Sequence, residues 1–280
     1  MIKPAQSSKK PYVLVVGNEK GGTGKSTLVM HLITGFLYEG LKVGSIDTDS
    51  RQGTLSRYVE NRQLYVKKSE TSLSLPTHIR LMRSEKPIQQ QAETEDKRNL
   101  AEAIETLSDC DVIVFDTPGS DTFLSRQAHS YADTLVTPLN DSFIDLDLLV
   151  RLESSPDNMV RPSTYAEMVW EQRKQRAIRD GGTIDWIVVR NRLSSIHSRN
   201  RDQMDQVLEM LSKRIGFRLG GGFGERVIFR ELFLSGLTLL DLEKTGKNFT
   251  LSHITARQEL RLLMGMLPLE ELSRRLPKTA

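Results

Sequence analysis

Residues 12–27, YVLVVGNEKGGTGKST, restrict the possible folds more than any other stretch of the chain. A continuous apolar run ends in a glycine-rich loop, and from Ser26 to Gly40 the apolar residues recur at helical spacing. KVGSID, at 42–47, has the pattern of a second buried strand. Strand, loop, helix and strand in this order predict a βαβ unit with parallel strands.

The loop predicts a phosphate-binding site. Glycines let backbone N–H groups approach phosphate oxygens, and the N-terminus of the following helix favours anions. Lys25 would reach the β- and γ-phosphates of ATP, and the Ser26 hydroxyl would bind Mg²⁺. A glycine turn without a ligand is the alternative, but this loop has the flanking strand and helix that the motif requires. The predicted ATP-binding residues here are Gly21, Gly22, Thr23, Gly24, Lys25, Ser26 and Thr27.

Aspartates follow two predicted strands. Asp116 ends VIVFD, at 112–116, where an aspartate at the carboxyl edge of the sheet can hold Mg²⁺, often through water. Asp47 and Asp49 follow the strand at 42–47 and could order the water shell of the metal or the attacking water. Without the phosphate loop, all three would equally fit turn or cap residues.

The loop also departs from the usual phosphate-loop pattern. That pattern has glycine six positions before the lysine, but Glu19 stands there, and a second lysine, Lys20, precedes Gly21. Lys20 stands at the lip of the loop and cannot easily fold back onto the phosphates that Lys25 contacts. A cation in this position can instead reach the nucleotide of a second subunit, as an arginine finger does.

The rest of the chain predicts an α/β fold: a doubly wound, mostly parallel sheet with helices on both faces. Further strands are predicted at 112–116, 134–139 and 183–191, with a short one at 226–229. Residues 60–100 are polar and weakly periodic, and indicate a helical or loop excursion. A helix is predicted at 256–275, interrupted at Pro268. We expect a disordered tail at 1–11 and a single domain at 12–280.

Composition excludes several classes of protein. The 280 residues are 38% hydrophobic and 27% charged, as in soluble globular proteins. The single cysteine, Cys110, cannot form an internal disulfide or a multi-cysteine metal site; it predicts a buried structural thiol and a cytoplasmic protein. We expect no secretory signal and no membrane span, because no apolar run is long enough.

The motif K-G-G-x-G-K-[ST], here at residues 20–26, resembles the deviant phosphate loop of the ParA/MinD family. The similarity extends over residues 12–265, is weak across 62–110, and points to the division-positioning branch of that family. It is carried by IDTDSRQGTLSRYVENR, DTPGSD, TPLNDSFIDLDLL, VWEQRKQRA, DWIVVRNRL and RVIFRELFLSGLTLLDL.

The resemblance implies a cycle and a set of roles. ATP-bound monomers would form a homodimer that binds DNA non-specifically and inhibits FtsZ assembly, while monomers would associate with ParB and slow hydrolysis would reset the cycle. The protein would then be nucleoid-associated, in a gradient from the cell pole. Lys20 would bind ATP in trans, and Asp49 would position the attacking water. Ser26, Asp47 and Asp116 would hold or support Mg²⁺, and Asn191 would lie near the adenine.

A basic segment is the candidate DNA face. Residues 190–230 carry nine Lys or Arg and four Asp or Glu, a net charge of +5 against +3 for the whole chain. The helix after Ser198 would leave its polar side to solvent and place on its apolar face Met204, Val207, Leu208, Leu211 and Ile215. A solvated charged surface is the alternative. The predicted DNA contacts are Arg199, Arg201, Lys213, Arg214 and Arg218.

Four other functions compete with this interpretation. A ParA-type partition ATPase shares the site and the DNA binding. A MinD-type ATPase would need a terminal membrane helix, but Pro268 and the acidic Glu270–Glu271 pair oppose one. An ATP-dependent synthetase would need no trans lysine. A nitrogenase-type reductase would need several cysteines.

Overall fold

The computed structural model describes residues 10–49, 51–152, 160–193, 199–245 and 250–269, and only the backbone of 152, 160 and 199–201. Most of the predicted N-terminal tail, residues 1–9, lies outside the described part. The strands are β1 (Tyr12–Val16), β2 (Val43–Asp47), β3 (Thr77–Arg80), β4 (Val112–Asp116), β5 (Thr134–Asn140), β6 (Val150–Leu152), β7 (Val160–Pro162), β8 (Asp185–Asn191) and β9 (Arg218–Leu219).

Helices follow most of the strands along the chain. They are α1 (Lys25–Tyr38), α2 (Thr54–Ser69), α3 (Gln89–Thr106), α4 (Phe123–Tyr131), α5 (Thr164–Asp180), α6 (Arg199–Leu211), α7 (Ile228–Ser235) and α8 (Leu251–Met264). A 3₁₀ helix spans Phe143–Leu148, and a π-helical turn at Ser212–Gly216 continues α6.

Seven strands form one parallel sheet in the order β3-β2-β4-β1-β5-β8-β9. The chain moves from β1 to one side of the sheet, returns through β4, and then builds the other side from β5 onward. The loop after β1 therefore opens at the switch point of the sheet, where doubly wound folds bind their ligands. The predicted fold class is confirmed.

Alternate residues of β1 pack against opposite layers of helices. Val13 and Val15 join a core with α3, α4, α5 and α6, whereas Leu14 and Val16 join a core with α1, α2 and α8. Burial on both faces explains why the central strands are continuous apolar runs in the sequence. The face of α6 predicted to be apolar packs into the core: Val207 is half-buried, and four residues are each at most 3% exposed, namely Met204, Leu208, Leu211 and Ile215.

Two predictions for individual segments fail. The strand predicted at 226–229 is instead the approach to α7 and its first two residues, and Phe229, Leu232 and Phe233 recur at helical spacing. The excursion at 60–100 contains the unpredicted β3, a short edge strand of sequence THIR that alternation of apolar residues cannot reveal. At the C-terminus, α8 docks on the body of the protein through Ala256, Leu260, Leu263 and Met264. None of the described helices is long and apolar enough to cross a membrane.

A buried ion pair ties α2 to the turn after α7. Arg62 donates from Nη1 and Nη2 to the two carboxylate oxygens of Asp241, at 2.7 and 2.8 Å, and both side chains are at most 1% exposed. Arg62 also donates to the carbonyl oxygens of Ser74 and Gly236. Asp241 accepts three further hydrogen bonds, two from the N–H and the hydroxyl of Thr238 and one from the Tyr38 hydroxyl. The pair is therefore fully hydrogen-bonded inside the protein.

Arg62→Met is expected to destabilise the fold by about 3–5 kcal/mol, because it leaves the buried Asp241 carboxylate without its counter-charge. Urea unfolding measures the loss. Arg98→Met is the matched control, since Arg98 pairs with Glu102 on the surface of α3 at 64% and 69% exposure. Its expected cost is below about 1 kcal/mol. Equal losses of unfolding free energy in the two variants would show that the buried pair stabilises the fold no more than the surface pair does.

Candidate functional site

The glycine-rich loop forms the N-terminus of α1 and leaves its first amides open. Gly24, the cap residue, has a φ of +83°, a conformation that favours glycine, and no side chain caps the helix. The first hydrogen bond that we find across this end runs from Leu28 N to Gly24 O, at 2.9 Å. The N–H groups before Leu28 therefore have no intrahelical partner and suit an anion at the helix N-terminus.

Lys25 lies beneath this loop and is only 8% exposed. Its Nζ donates to the carbonyl oxygen of Lys20 at 2.8 Å. This hydrogen bond joins the two ends of the loop. Burial lowers the pKa of Lys25, and the charges of Asp116 and Asp49 oppose that effect. A buried ammonium group beside open amides gives the loop a strongly positive interior.

Asp116 and Asp47 lie side by side at the carboxyl edge of the sheet, as register partners on β4 and β2. Burial raises the pKa of Asp116 to about 8, and the charge of Asp47 adds to this, while a hydrogen bond with Ser26 and the charge of Lys25 oppose it. The Oδ1 atom of Asp116 is buried and has no hydrogen-bond partner. An unsatisfied carboxylate oxygen is costly, so this atom points to a missing ligand.

The arrangement fits Mg²⁺. In the described part of the chain no three His, Cys, Asp or Glu side chains form a ready-made metal cluster. Mg²⁺ does not require one, because it is usually held by one or two carboxylates together with phosphate oxygens and water. Ser26 and Asp116 are the residues that could hold it, with Asp47 beside them.

Asp49 stands at the mouth of the site. Its N–H donates to Asp47 Oδ1 at 3.0 Å, and its Oδ1 accepts from Gln52 N at 3.2 Å. Its carbonyl oxygen accepts from Gly53 N at 2.7 Å. The loop after β2 therefore holds Asp49 half-buried, close enough for its charge to act on Lys25.

Lys20 turns away from the loop and contacts the 3₁₀ helix of its own chain. Its Nζ donates to the Ile144 carbonyl oxygen at 2.8 Å and to Asp145 Oδ1 at 2.9 Å. The Lys20 side chain remains 33% exposed, and the neighbouring Phe143 and Ile144 are 42% and 75% exposed. Sequence reasoning missed Asp145, because no motif marks it. As predicted, Lys20 does not share the position of Lys25.

Asn191 joins the loop to a cavity of about 400 Å³, a volume within the range of small-molecule sites. Its Nδ2 donates to Thr23 O at 2.7 Å and would be 2.4 Å from a Cβ on Gly24, so a side chain there would displace Asn191 as well as strain the backbone. Asn191 lines this cavity beside the phosphate loop, and its predicted place near the adenine stays a prediction. Other residues that line the cavity were not predicted, including Arg192, Phe223, Arg226 and Phe229.

The candidate DNA contacts differ in their surroundings. Lys213 and Arg214 are exposed on the turn after α6. Arg218 instead donates through Nε to Asp185 Oδ1 at 2.9 Å and through Nη2 to the Met266 carbonyl oxygen at 3.0 Å, so its charge is already compensated. The side chains of Arg199 and Arg201 lie outside the described residues. Two basic residues of α5, Arg173 and Arg176, are held by backbone carbonyls and aspartates of the protein itself.

Comparison with known proteins identifies the family. The family model described as "ATPase MipZ" matches residues 12–271. The chain belongs to the MipZ ATPase family. MipZ proteins are ParA/MinD-type ATPases, so the family predicted from the sequence is confirmed, as is ATPase activity. The family assignment makes the chain an ATPase of the division or positioning class.

Solved structures related to this MipZ-family chain share its fold at low identity. Apo McdA of Cyanothece is 17% identical, with a TM-score of 0.62, and the alignment covers 91% of this chain and 98% of that one. The Mg-ADP complex of the septum site-determining protein MinD from Pyrococcus horikoshii is 17% identical, with a TM-score of 0.58 and coverages of 95% and 100%.

A putative plasmid partition protein from Borrelia burgdorferi, bound to AMPPNP, is 16% identical, with a TM-score of 0.56 and coverages of 92% and 100%. No curated protein sequence gives a significant match to the chain.

Proposed function

We propose that this ATPase is a switch whose ATP-bound form dimerises. The observation that carries the proposal is the pair of lysines in one loop: Lys25 buried under the open amides of α1, and Lys20 turned outward onto an exposed rim. Phe143 and Ile144 make that rim apolar, which suits it to a second subunit. Contacts to ATP that exist only in the dimer would make pairing depend on the nucleotide.

The proposed roles follow the positions of the side chains. Lys25 and the loop amides bind the phosphates, and Asn191 contacts the base in the adjoining cavity. Ser26 and Asp116 would hold Mg²⁺, with Asp47 supporting them; the metal, when bound, neutralises charge on the phosphates. Asp49 orients a water that attacks the γ-phosphorus, which breaks the bond to the β–γ bridging oxygen and releases ADP and phosphate. Lys20 stabilises the negative charge that develops on the transferring γ-phosphoryl group in the partner's site.

At the cellular level, we propose that the dimer binds DNA non-specifically and restrains FtsZ assembly, while the monomer associates with ParB. Membership of the MipZ family supports this cellular role over the alternative functions considered for the sequence. Exposed Lys213 and Arg214 support the DNA contact, whereas Arg218 is the weaker candidate because Asp185 neutralises it. A ParA-type partition ATPase is the alternative, and it shares the switch but not the effect on FtsZ.

Light scattering with ADP and with a non-hydrolysable ATP analogue tests the switch, with a monomer expected in the first and a dimer in the second. A monomer in both would overturn it. The dimer is then titrated with DNA. About six neutralised phosphates predict a slope near −5 for log affinity against log salt, and a slope near zero would remove DNA binding. Shortened FtsZ polymers would favour the division role, and unaffected polymers the partition alternative.

Asp49→Ala is expected to lower kcat for ATP hydrolysis by about 10²-fold and to leave the ATP-dependent dimer intact, because only the orientation of the attacking water is lost. Phosphate release and light scattering measure the two properties. Asp109→Ala is the control, since Asp109 lies 68% exposed in the turn before β4, at the opposite edge of the sheet. An Asp49→Ala enzyme as fast as its parent would show that another group orients the water.

A further inference from the structure

Four side chains beneath the site form a continuous hydrogen-bonded chain that leads away from Asp47. Ser56 Oγ is 2.8 Å from Asp47 Oδ2, and His78 Nε2 is 3.0 Å from Ser56 Oγ. Ser45 Oγ is 2.9 Å from His78 Nδ1. Ser45, Asp47 and Ser56 are at most 2% exposed, and His78 on β3 is half-buried. The chain therefore connects the edge strand of the sheet to the candidate metal site.

The direction of every hydrogen bond in this chain follows from Asp47, whose two oxygens accept backbone N–H groups of Asp49 and Ser56. The single Ser56 hydroxyl proton also points at Asp47, at Oδ2. Ser56 Oγ must then accept from His78, which places the ring proton on Nε2. The free Nδ1 accepts from the Ser45 hydroxyl. Burial lowers the pKa of His78 to about 4, which agrees with a neutral ring.

The chain also decides which oxygen of Asp47 faces the site. Oδ2 accepts twice from Ser56, through its N–H at 2.9 Å and its hydroxyl. Both lone-pair directions of Oδ2 are therefore occupied. Oδ1 accepts once, from the Asp49 N–H, and keeps one open direction. Any ligand water that Asp47 binds must use that position.

We propose that Ser56 and His78 are positioning residues for ATP hydrolysis: they fix Asp47 so that Oδ1 alone serves the metal's water shell and the Asp49 loop. This inference rests on the proposed role of Asp47. Neither residue contacts substrate. They act by holding a carboxylate that would otherwise rotate about its last torsion angle, a broad one in aspartate. Comparable outer partners of metal ligands contribute about 10–100-fold to activity or metal affinity.

The test compares kinetics in four variants. Ser56→Ala removes the hydroxyl but keeps the backbone donor, so kcat is expected to fall about 10-fold and the Mg²⁺ concentration for half-maximal rate to rise about 10-fold. KM for ATP should change less than about twofold, because the phosphate loop is untouched. His78→Phe should show a loss similar to that of Ser56→Ala. His78→Gln should recover most of the rate, since its amide N–H can donate to Ser56.

Ser130→Ala is the control for loss of a buried serine hydroxyl. Ser130 is 4% exposed on α4 and donates to the Gln127 carbonyl oxygen at 2.8 Å, away from the site. Equal kcat in Ser56→Ala and Ser130→Ala would overturn the proposal. A His78→Gln enzyme no faster than His78→Phe would also overturn it. Recovery by an amide donor is expected only if His78 acts through its hydrogen bond to Ser56. Thermal unfolding identifies variants that do not fold.

Nitrogen NMR of the imidazole ring gives an independent reading that requires no nucleotide. The chain predicts the tautomer with the proton on Nε2 in the parent protein. A proton on Nδ1 in an active ATPase would overturn this inference alone. A parent protein that bound no ATP would instead defeat the proposed function, and the positioning role with it.

Discussion

Lys25→Ala is expected to abolish measurable ATP binding, with an affinity loss of about 10³-fold. Lys25 is the buried cation beneath the open amides of α1, and its Nζ already lies 2.8 Å from the Lys20 carbonyl oxygen, within the loop that would surround the phosphates. Removing it leaves the phosphate charge facing Asp116 and Asp47 without compensation. Calorimetric titration with a non-hydrolysable ATP analogue measures the effect.

Lys42→Ala separates this effect from a general change in charge. Lys42 is 53% exposed and pairs with Asp109 at the opposite edge of the sheet, so its removal should leave ATP affinity unchanged. Thermal unfolding without nucleotide is the second check, because a folded Lys25→Ala protein is needed to interpret a loss of binding. A folded Lys25→Ala protein that bound ATP within about tenfold of its parent would refute the assignment.

The central strands could be predicted because the apolar pattern that marks each of them lies within its own few residues. β1 and β4 are buried on both faces, so each is a continuous apolar run that ends before a glycine or at an aspartate. β2 is equally buried, although Ser45 stands inside it. In a parallel sheet their carboxyl ends share an edge. This is why Asp47 and Asp116 could be expected near the phosphate loop before their register was known.

Other features depend on partners distant in the sequence. β3 has no apolar alternation, since it is an edge strand whose side chains are half-buried or exposed. In the sequence nothing distinguishes Arg218 from the other basic residues of 190–230, but in the structure β8 places Asp185 beside it. The hydrogen bond from Lys20 Nζ to Asp145 Oδ1 joins residues 125 positions apart. No local pattern in the sequence marks these contacts, because each depends on how separate elements pack.

Lys20→Ala is expected to leave ATP affinity within about threefold of the parent, and to lose both the ATP-dependent dimer and about 10³-fold in kcat. Among the described residues, the Lys20 ammonium group donates to Ile144 and Asp145, and its contact with Lys25 is made by the backbone carbonyl, which alanine keeps. Charge supplied in trans to a transferring phosphoryl group contributes 10³- to 10⁵-fold to kcat in related chemistry. Light scattering and phosphate release, both at saturating ATP, measure the two losses.

The intrachain contacts of Lys20 are too weak to prevent this lysine from crossing to the nucleotide of the second subunit. A partly exposed ion pair such as Lys20–Asp145 contributes about 1 kcal/mol, whereas a 10³-fold rate effect corresponds to about 4 kcal/mol. Asp145→Asn is therefore the matched control: it frees the lysine and should preserve both the dimer and hydrolysis. If Lys20→Ala still dimerised with ATP and hydrolysed it at the parent rate, the trans role would be wrong. Loss of both properties in Asp145→Asn as well would show that the intrachain pair, rather than the crossing, is what Lys20 provides.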